Sequence, residues 1–287
     1  MPRRSLLVAT AAAVISIVLS SIALASDTPR EHTPEKAPVP AVMPFEPSEQ
    51  LVYEGEFSKL LLRGIKIAEL KFTASRPAAG AQGDGQPQPL LLTTHVESKG
   101  WFRKLFGINF TYHVESTVQP DGFHALKTSK IDEQGKRLRT SEAVFDMSTK
   151  RVEWTERDPN NQAQPPRVVT AALEGPTQDI VSAVYFLRTQ PLTPGQSFNI
   201  AISDSGRVYQ VPARVVAEKK AMKSVLGKVP VVRIEVDLFG EGRPVEGKGK
   251  MNIWVTNDER HVPVKARLSH DMGQLDLTLR SHGRAPQ

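Results

Sequence analysis

Apolar side chains return at every second position along most of this chain, and that period leaves little choice of fold. Ile108, Phe110, Tyr112 and Val114 fall on one side of a segment, with Asn109, Thr111, His113 and Glu115 on the other. Val232, Ile234, Val236 and Leu238 alternate with Arg233, Glu235 and Asp237; Leu275, Leu277 and Leu279 alternate with Asp276 and Thr278. Successive side chains of a strand point to opposite faces, so these runs describe strands with one face buried. Comparable runs lie near Leu70, Leu92, Val152, Phe198, Val211, Ile253 and Val264. Turn signals such as Pro120-Asp121-Gly122, Asn257-Asp258 and Met272-Gly273 separate them. Short turns join antiparallel neighbours, whereas parallel strands need long crossovers, so an antiparallel meander is expected.

One stretch breaks the period. Pro176 to Arg188 reads as a helix, with Thr177 able to cap it, Asp179 suited to the positive first turn and Arg188 to the negative last turn. Ile180, Val184 and Leu187 share a face that is expected to dock on the sheet, and Pro191 and Pro194 stop the helix. A helix of about 14 residues is roughly 21 Å long and about 10 Å across. About ten strands at roughly 4.8 Å spacing make a sheet about 48 Å wide. One helix cannot cover such a face. The expected fold is mostly β: a curved antiparallel sheet or half-barrel meander with one packed α-helix. Its interior is either filled by side chains or left as an apolar groove.

The amino terminus supplies an address. Met1-Pro2-Arg3-Arg4 is a short basic start, Ser5 to Ala25 is uncharged, and Ala23-Leu24-Ala25 is a small-residue cleavage signal. Residues 1–25 are therefore expected to be a signal peptide cleaved after Ala25, which implies a periplasmic protein. Residues 26–48 carry six prolines among charged residues and read as a linker, with a single β-rich domain at 49–283. Pro77 to Pro89 is expected to be a flexible loop. Loss of Arg3 and Arg4 leaves 35 of the 37 basic residues against 31 acidic ones, about +4. Those charges are interspersed, unlike the clustered basic face that nucleic acid requires. Cysteine is absent, which excludes a lipidated amino terminus, thiol nucleophiles and zinc–thiolate sites.

Thr177-Gln178-Asp179-Ile180-Val181-Ser182-Ala183-Val184-Tyr185-Phe186-Leu187-Arg188, followed by Pro194-Gly195, resembles the helix motif of the bacterial domain-of-unknown-function 3108 family. Ile253 to Arg260 with Val262-Pro263-Val264, and Leu226-Gly227, are similar to further motifs of that family. Leu51 to Gly55 and Gly64 to Ala68 are similar to its first hairpin. The resemblance spans about Leu51 to Leu279 and implies an exported β-rich envelope protein. The architecture is also similar to lipoprotein carriers of the Lol type, half-barrels that hold acyl chains; that likeness is of fold alone.

Candidate site residues follow from this frame. Asp179 and Arg188 would form a polar handle at a pocket mouth, with Trp254 as its wall and Ile180, Val184 and Leu187 against the ligand. The competing reading makes the first three helix-end charges and a core aromatic. Trp101, Phe102 and Phe106 flank Arg103 and Lys104, a pattern suited to a membrane surface; the competing reading is a helical turn that closes the barrel end. Gly240, Gly242, Gly247 and Gly249 precede a strand instead of a helix, so they read as a hairpin loop and not a phosphate cradle. The histidines have no metal spacing, and no serine sits in a nucleophile elbow. The expectation is a monomeric, non-enzymatic carrier of an apolar small molecule or lipid, with no cofactor or metal, no nucleic acid, and transient membrane or envelope-protein contact. The alternative is an envelope scaffold with a packed interior.

Overall fold

The computed structural model describes residues 43–60, 62–76, 88–99, 103, 109–219 and 221–285. The segment read as a signal peptide, most of the linker, and Trp101, Phe102 and Phe106 lie outside the described residues. The first eight strands are β1 (Glu49–Lys59), β2 (Leu62–Ser75), β3 (Leu90–Ser98), β4 (Phe110–Gln119), β5 (His124–Gln134), β6 (Arg137–Asp146), β7 (Arg151–Arg157) and β8 (Arg167–Ala172). Helix α1 (Ile180–Thr189) follows. Then come β9 (Ser197–Asp204), β10 (Arg207–Ala217), β11 (Met222–Ser224), β12 (Gly227–Val229) and β13 (Val231–Val236). The last are β14 (Gly249–Thr256), β15 (Pro263–His270) and β16 (Gly273–Arg284).

Fourteen of these strands make one antiparallel sheet in the order β8-β7-β6-β5-β4-β3-β2-β1-β16-β15-β14-β13-β10-β9. The first and last strands pair at its centre, Tyr53 against Leu279. From there the meander runs outward to β8, crosses through α1, and returns from β9. The mostly β, curled architecture is thus as expected, and the sheet does not close, because β8 and β9 remain edges.

The segment before α1 lies in the seam. Gln178 bridges Ile202 in parallel, its N–H donating to Ala201 O at 2.8 Å while Ser203 N–H donates to its carbonyl at 2.7 Å. On the other side Ala125 N–H donates to Thr177 O at 2.9 Å. Gly206, at φ +78°, lets the β9–β10 turn sit on β8: a Cβ there would lie 2.6 Å from that of Val169. Gln178 in turn satisfies Ala201 O and Ser203 N–H on the free edge of β9, groups that could otherwise template pairing with another chain.

The alternation identified in sequence sets the core. Phe110, Tyr112 and Val114 are buried together, as are Val232, Ile234 and Val236. One cluster gathers α1 with β3, β4, β9, β10, β13 and β14; a second, around Phe57, Ile67, Tyr112 and Leu268, fills the other end, and Leu238 and Met251 touch both. Gly240, Gly242 and Gly247 lie in a loop before β14, as expected, whereas Gly249 opens the strand; Phe239 and Val245 sit in the second cluster.

Two boundaries differ from expectation. The helix has ten residues, and Asp179 caps it in place of Thr177, which is extended in the seam. The linker assignment to Ser48 extends too far: Phe45 is 6% exposed and packs edge-on against Tyr185, with centroids 4.8 Å apart. Among prolines a single phenylalanine has no periodic partner to mark it as core. Phe45→Ala is expected to cost about 3–5 kcal/mol in urea unfolding, and Glu46→Ala, losing only an exposed pair with Arg284, at most about 1 kcal/mol. Equal effects would place Phe45 outside the core.

Candidate functional site

Helix α1 is held by a buried charge at each end. At its start the Asp179 carboxylate accepts from Val181 N–H (2.8 Å) and Ser182 N–H (2.9 Å), while Ser182 Oγ accepts from Asp179 N–H at 2.9 Å, a reciprocal capping box. The other carboxylate oxygen accepts from the hydroxyls of Ser116 on β4 and Thr128 on β5, the latter at 2.7 Å. Asp179 therefore fixes the helix start to the sheet.

At the far end Arg188 has no exposed side-chain surface. Its guanidinium donates to both carboxylate oxygens of Glu49 on β1, at 3.0 Å through Nη2 to Oε1 and more closely through Nη1 to Oε2. It also donates to Pro44 O and, from Nε and Nη2, to Arg260 O, each at 3.1 Å. The Phe45 and Tyr185 rings lie 5.2 and 5.7 Å from it. Two histidines complete the array: His282 Nε2 lies 3.0 Å from Glu49 Oε1, and His261 Nδ1 lies 2.8 Å from Arg188 O. A carbonyl only accepts, so His261 carries its proton on Nδ1.

Above this array opens a cleft of about 870 Å³, walled by Met43, Phe45, Gln190 and Pro191 and rimmed by Glu46, Arg260 and Arg284. The buried groups form its floor, and the rim charges are exposed and locally paired, Arg284 with Glu46 and Arg260 with Asp258. Glu49 and His282 occupy inward positions of β1 and β16, where apolar residues are the rule. Glu49 breaks the apolar period of β1 in the sequence itself, a signal that was missed, whereas His282 is out of phase with Leu275, Leu277 and Leu279 and reaches the inner face only through the bulge opposite Val52 and Tyr53.

The structure separates the expected constellation. Asp179 and Arg188 sit at opposite ends of α1, roughly 15 Å apart along its axis, and only Arg188 reaches the cleft. Trp254 is on the opposite face of β14 from buried Ile253 and Val255; like Met222, Leu226 and Val229 it packs on the outside of the cluster that includes Val231, Val262 and Val264, and its Nε1 is 3.4 Å from Glu218. Of the expected ligand-facing aliphatics, Leu187 is buried, whereas Ile180 and Val184 are half-buried and do not line the cleft. The deepest stripe of the helix is Val181, Ser182, Tyr185, Arg188 and Thr189. Three of these count as polar in any hydropathy pattern, which is why the docking face was misassigned.

Arg188→Met leaves the Glu49 carboxylate without its guanidinium and is expected to cost about 3–5 kcal/mol in chemical denaturation, most of it recovered by adding Glu49→Gln. A double variant no more stable than Arg188→Met would contradict the pairing. The tyrosines give a second contrast. Tyr53 donates to Pro263 O at 2.7 Å, while the Tyr185 hydroxyl is buried without a partner. Tyr53→Phe should cost about 1 kcal/mol and Tyr185→Phe nothing or less. Burial raises both phenols above their ordinary value, with Arg188 partly offsetting it. Stability from a raised phenol is present below the unfolded value of about 10 and lost as pH climbs above it, so the fold should weaken at alkaline pH and less so in Tyr185→Phe.

Among known proteins, the family described as "Protein of unknown function (DUF3108)" matches residues 53–280. No curated protein matches the chain significantly. Among solved structures, the chain is similar to a β-barrel-like protein of domain of unknown function DUF1849 from Brucella abortus. That likeness has 9% identity and a TM-score of 0.54, and it covers 83% of this chain and 98% of the other. At that identity the likeness is one of fold. The match over most of the length places this chain in the DUF3108 family.

Proposed function

We propose that the chain is a non-enzymatic binding module of the bacterial periplasm that takes an apolar ligand, an acyl chain or lipid, in the cleft at the end of α1. The observation that carries this reading is the cleft itself. Its volume of about 870 Å³ falls within the range of small-molecule pockets. Met43 and Phe45 give it apolar walls, while Glu46, Arg260 and Arg284 form a solvated rim suited to a polar headgroup. All three guanidinium nitrogens of Arg188 and both oxygens of Glu49 are engaged with protein groups, which supports holding a ligand over transforming one. The interior is a poorer place for an acyl chain: Tyr112, Phe57, Phe123, Leu92 and Ile234 are each under 2% exposed, and close-packed side chains leave no such room. That packing favours the second reading, an envelope scaffold without ligand.

Gentle purification from the native periplasm followed by native mass spectrometry separates the two, with a bound acyl species expected. In parallel, a fluorescent fatty acid should bind the wild type. Arg284→Trp, which fills the rim at the loss of only an exposed ion pair, should weaken it about tenfold or more with unchanged melting. A wild type that carries no lipid and takes up no fatty acid would leave the scaffold.

A further inference from the structure

The inward positions of the sheet change character partway around it. Phe57, Ile67, Val96, Ile234, Ile253 and Leu268 typify β1–β3 and β13–β15, all buried and apolar. On β5 the inward residue Thr128, identified by its bond to Asp179, is followed on the same face by Lys130, Asp132 and Gln134. On β6 Ala143 and Phe145 are buried in a core cluster, so Ser141, Arg139 and Arg137 share their face. The unshifted register pairs Lys130 with Ser141, Asp132 with Arg139, and Gln134 with Arg137. Glu156 on β7 lies opposite Ser141, and Arg167 on β8 opposite Glu156. A polar sector thus continues the apolar concave face.

This sector is built, not merely wetted. The side chain of Asp132 is 3% exposed, and its carboxylate accepts from Arg137 at 2.7 Å and Gln134 at 3.0 Å. Gln134 also donates to the Tyr112 hydroxyl, and Arg139 pairs with Asp158. A carboxylate withdrawn from water is costly unless fixed donors replace its hydration, and here they do. Around it Lys130, Ser141 and Glu156 stay half-exposed and within reach of solvent.

We propose that this sector is a second binding site, for a short neutral oligosaccharide. Four cations (Lys130, Arg137, Arg139, Arg167) and two carboxylates (Asp132, Glu156) are interspersed on the strands, with a third carboxylate, Asp158, just past the end of β7. A polyanion or a polycation meets like charges at every step of such a surface. An apolar ligand strips water from groups it cannot satisfy. A sugar hydroxyl both donates and accepts, so it suits interspersed donors and acceptors. Trp154 is buried under Arg167, whose guanidinium lies 5.6 Å from the ring, so recognition runs through hydrogen bonds and not ring stacking.

The full chain, titrated with the neutral cellohexaose, maltohexaose and hexa-N-acetylchitohexaose and with anionic hexagalacturonate, tests this by calorimetry and amide shifts. At least one neutral hexasaccharide should bind, with shifts centred on Lys130, Ser141 and Glu156. Glu156→Ala should weaken it about tenfold or more without altering the melt. The proposal is overturned if none of the three neutral sugars binds at about 10 mM, if Glu156→Ala binds as well as wild type, or if only hexagalacturonate binds, with steep salt dependence.

Discussion

A guanidinium taken fully out of water must find acceptors among protein atoms, and the fold is arranged around that demand at Arg188. Its partners come from three places distant in sequence: Pro44 in the entering segment, Glu49 on β1, and Arg260 in the β14–β15 turn. The helix end, the entry of the chain and the centre of the sheet are therefore tied at one point. Desolvating the pair costs several kcal/mol per ion, which bidentate geometry and the added carbonyls offset. Such a pair contributes little net stability; what it secures is position, because a helix shifted by one turn strands both charges. Asp179 does the same at the other end through β4 and β5.

With both ends fixed, α1 and its leading segment settle a question that strand alternation leaves open. The sheet curls, and the Thr177-Gln178 segment bridges the start of β5 to the edge strand β9 while Tyr185 and Phe186 extend into the space inside. A meander that would otherwise enclose a groove is plugged where the apolar residues converge. The two proposed binding sites then lie where the plug ends, at the cleft above Arg188, and where the inward face turns polar, on β5–β8. Fold and binding surface are set by the same residues, so a ligand in the cleft rests on groups whose main duty is to hold the helix.

Much of this could be read from the sequence because period two is a property of the strand itself. The buried faces of β4, β13 and β16, the turns between strands, and the presence of one helix all followed from it. The linker boundary and the helix face did not, for a shared reason: both depend on pairings between residues far apart in sequence. Phe45 is core only because Tyr185 meets it, and Ser182 and Arg188 are deepest only because Asp179 and Glu49 receive them. The cleft was partly visible. Glu49 is a charge in phase with the apolar residues of β1, whereas His282 is out of phase with Leu275, Leu277 and Leu279 and turns inward only through the bulge opposite Val52 and Tyr53; in the second sector Thr128, Lys130 and Asp132 make the inward face of β5 polar throughout. Breaks in the alternation mark the two proposed sites, and the alternation itself carries the fold.

The central claim is that an apolar ligand is held at the end of the helix and not inside the curled sheet. Paramagnetic broadening by a nitroxide-labelled stearate tests it directly, because the label erases amide signals only near where it rests. The account predicts loss of signal from Gln190, His261 and His282, with Val96, Ile234 and Leu268 untouched. Broadening of those three strand amides while the cleft signals persist would contradict it.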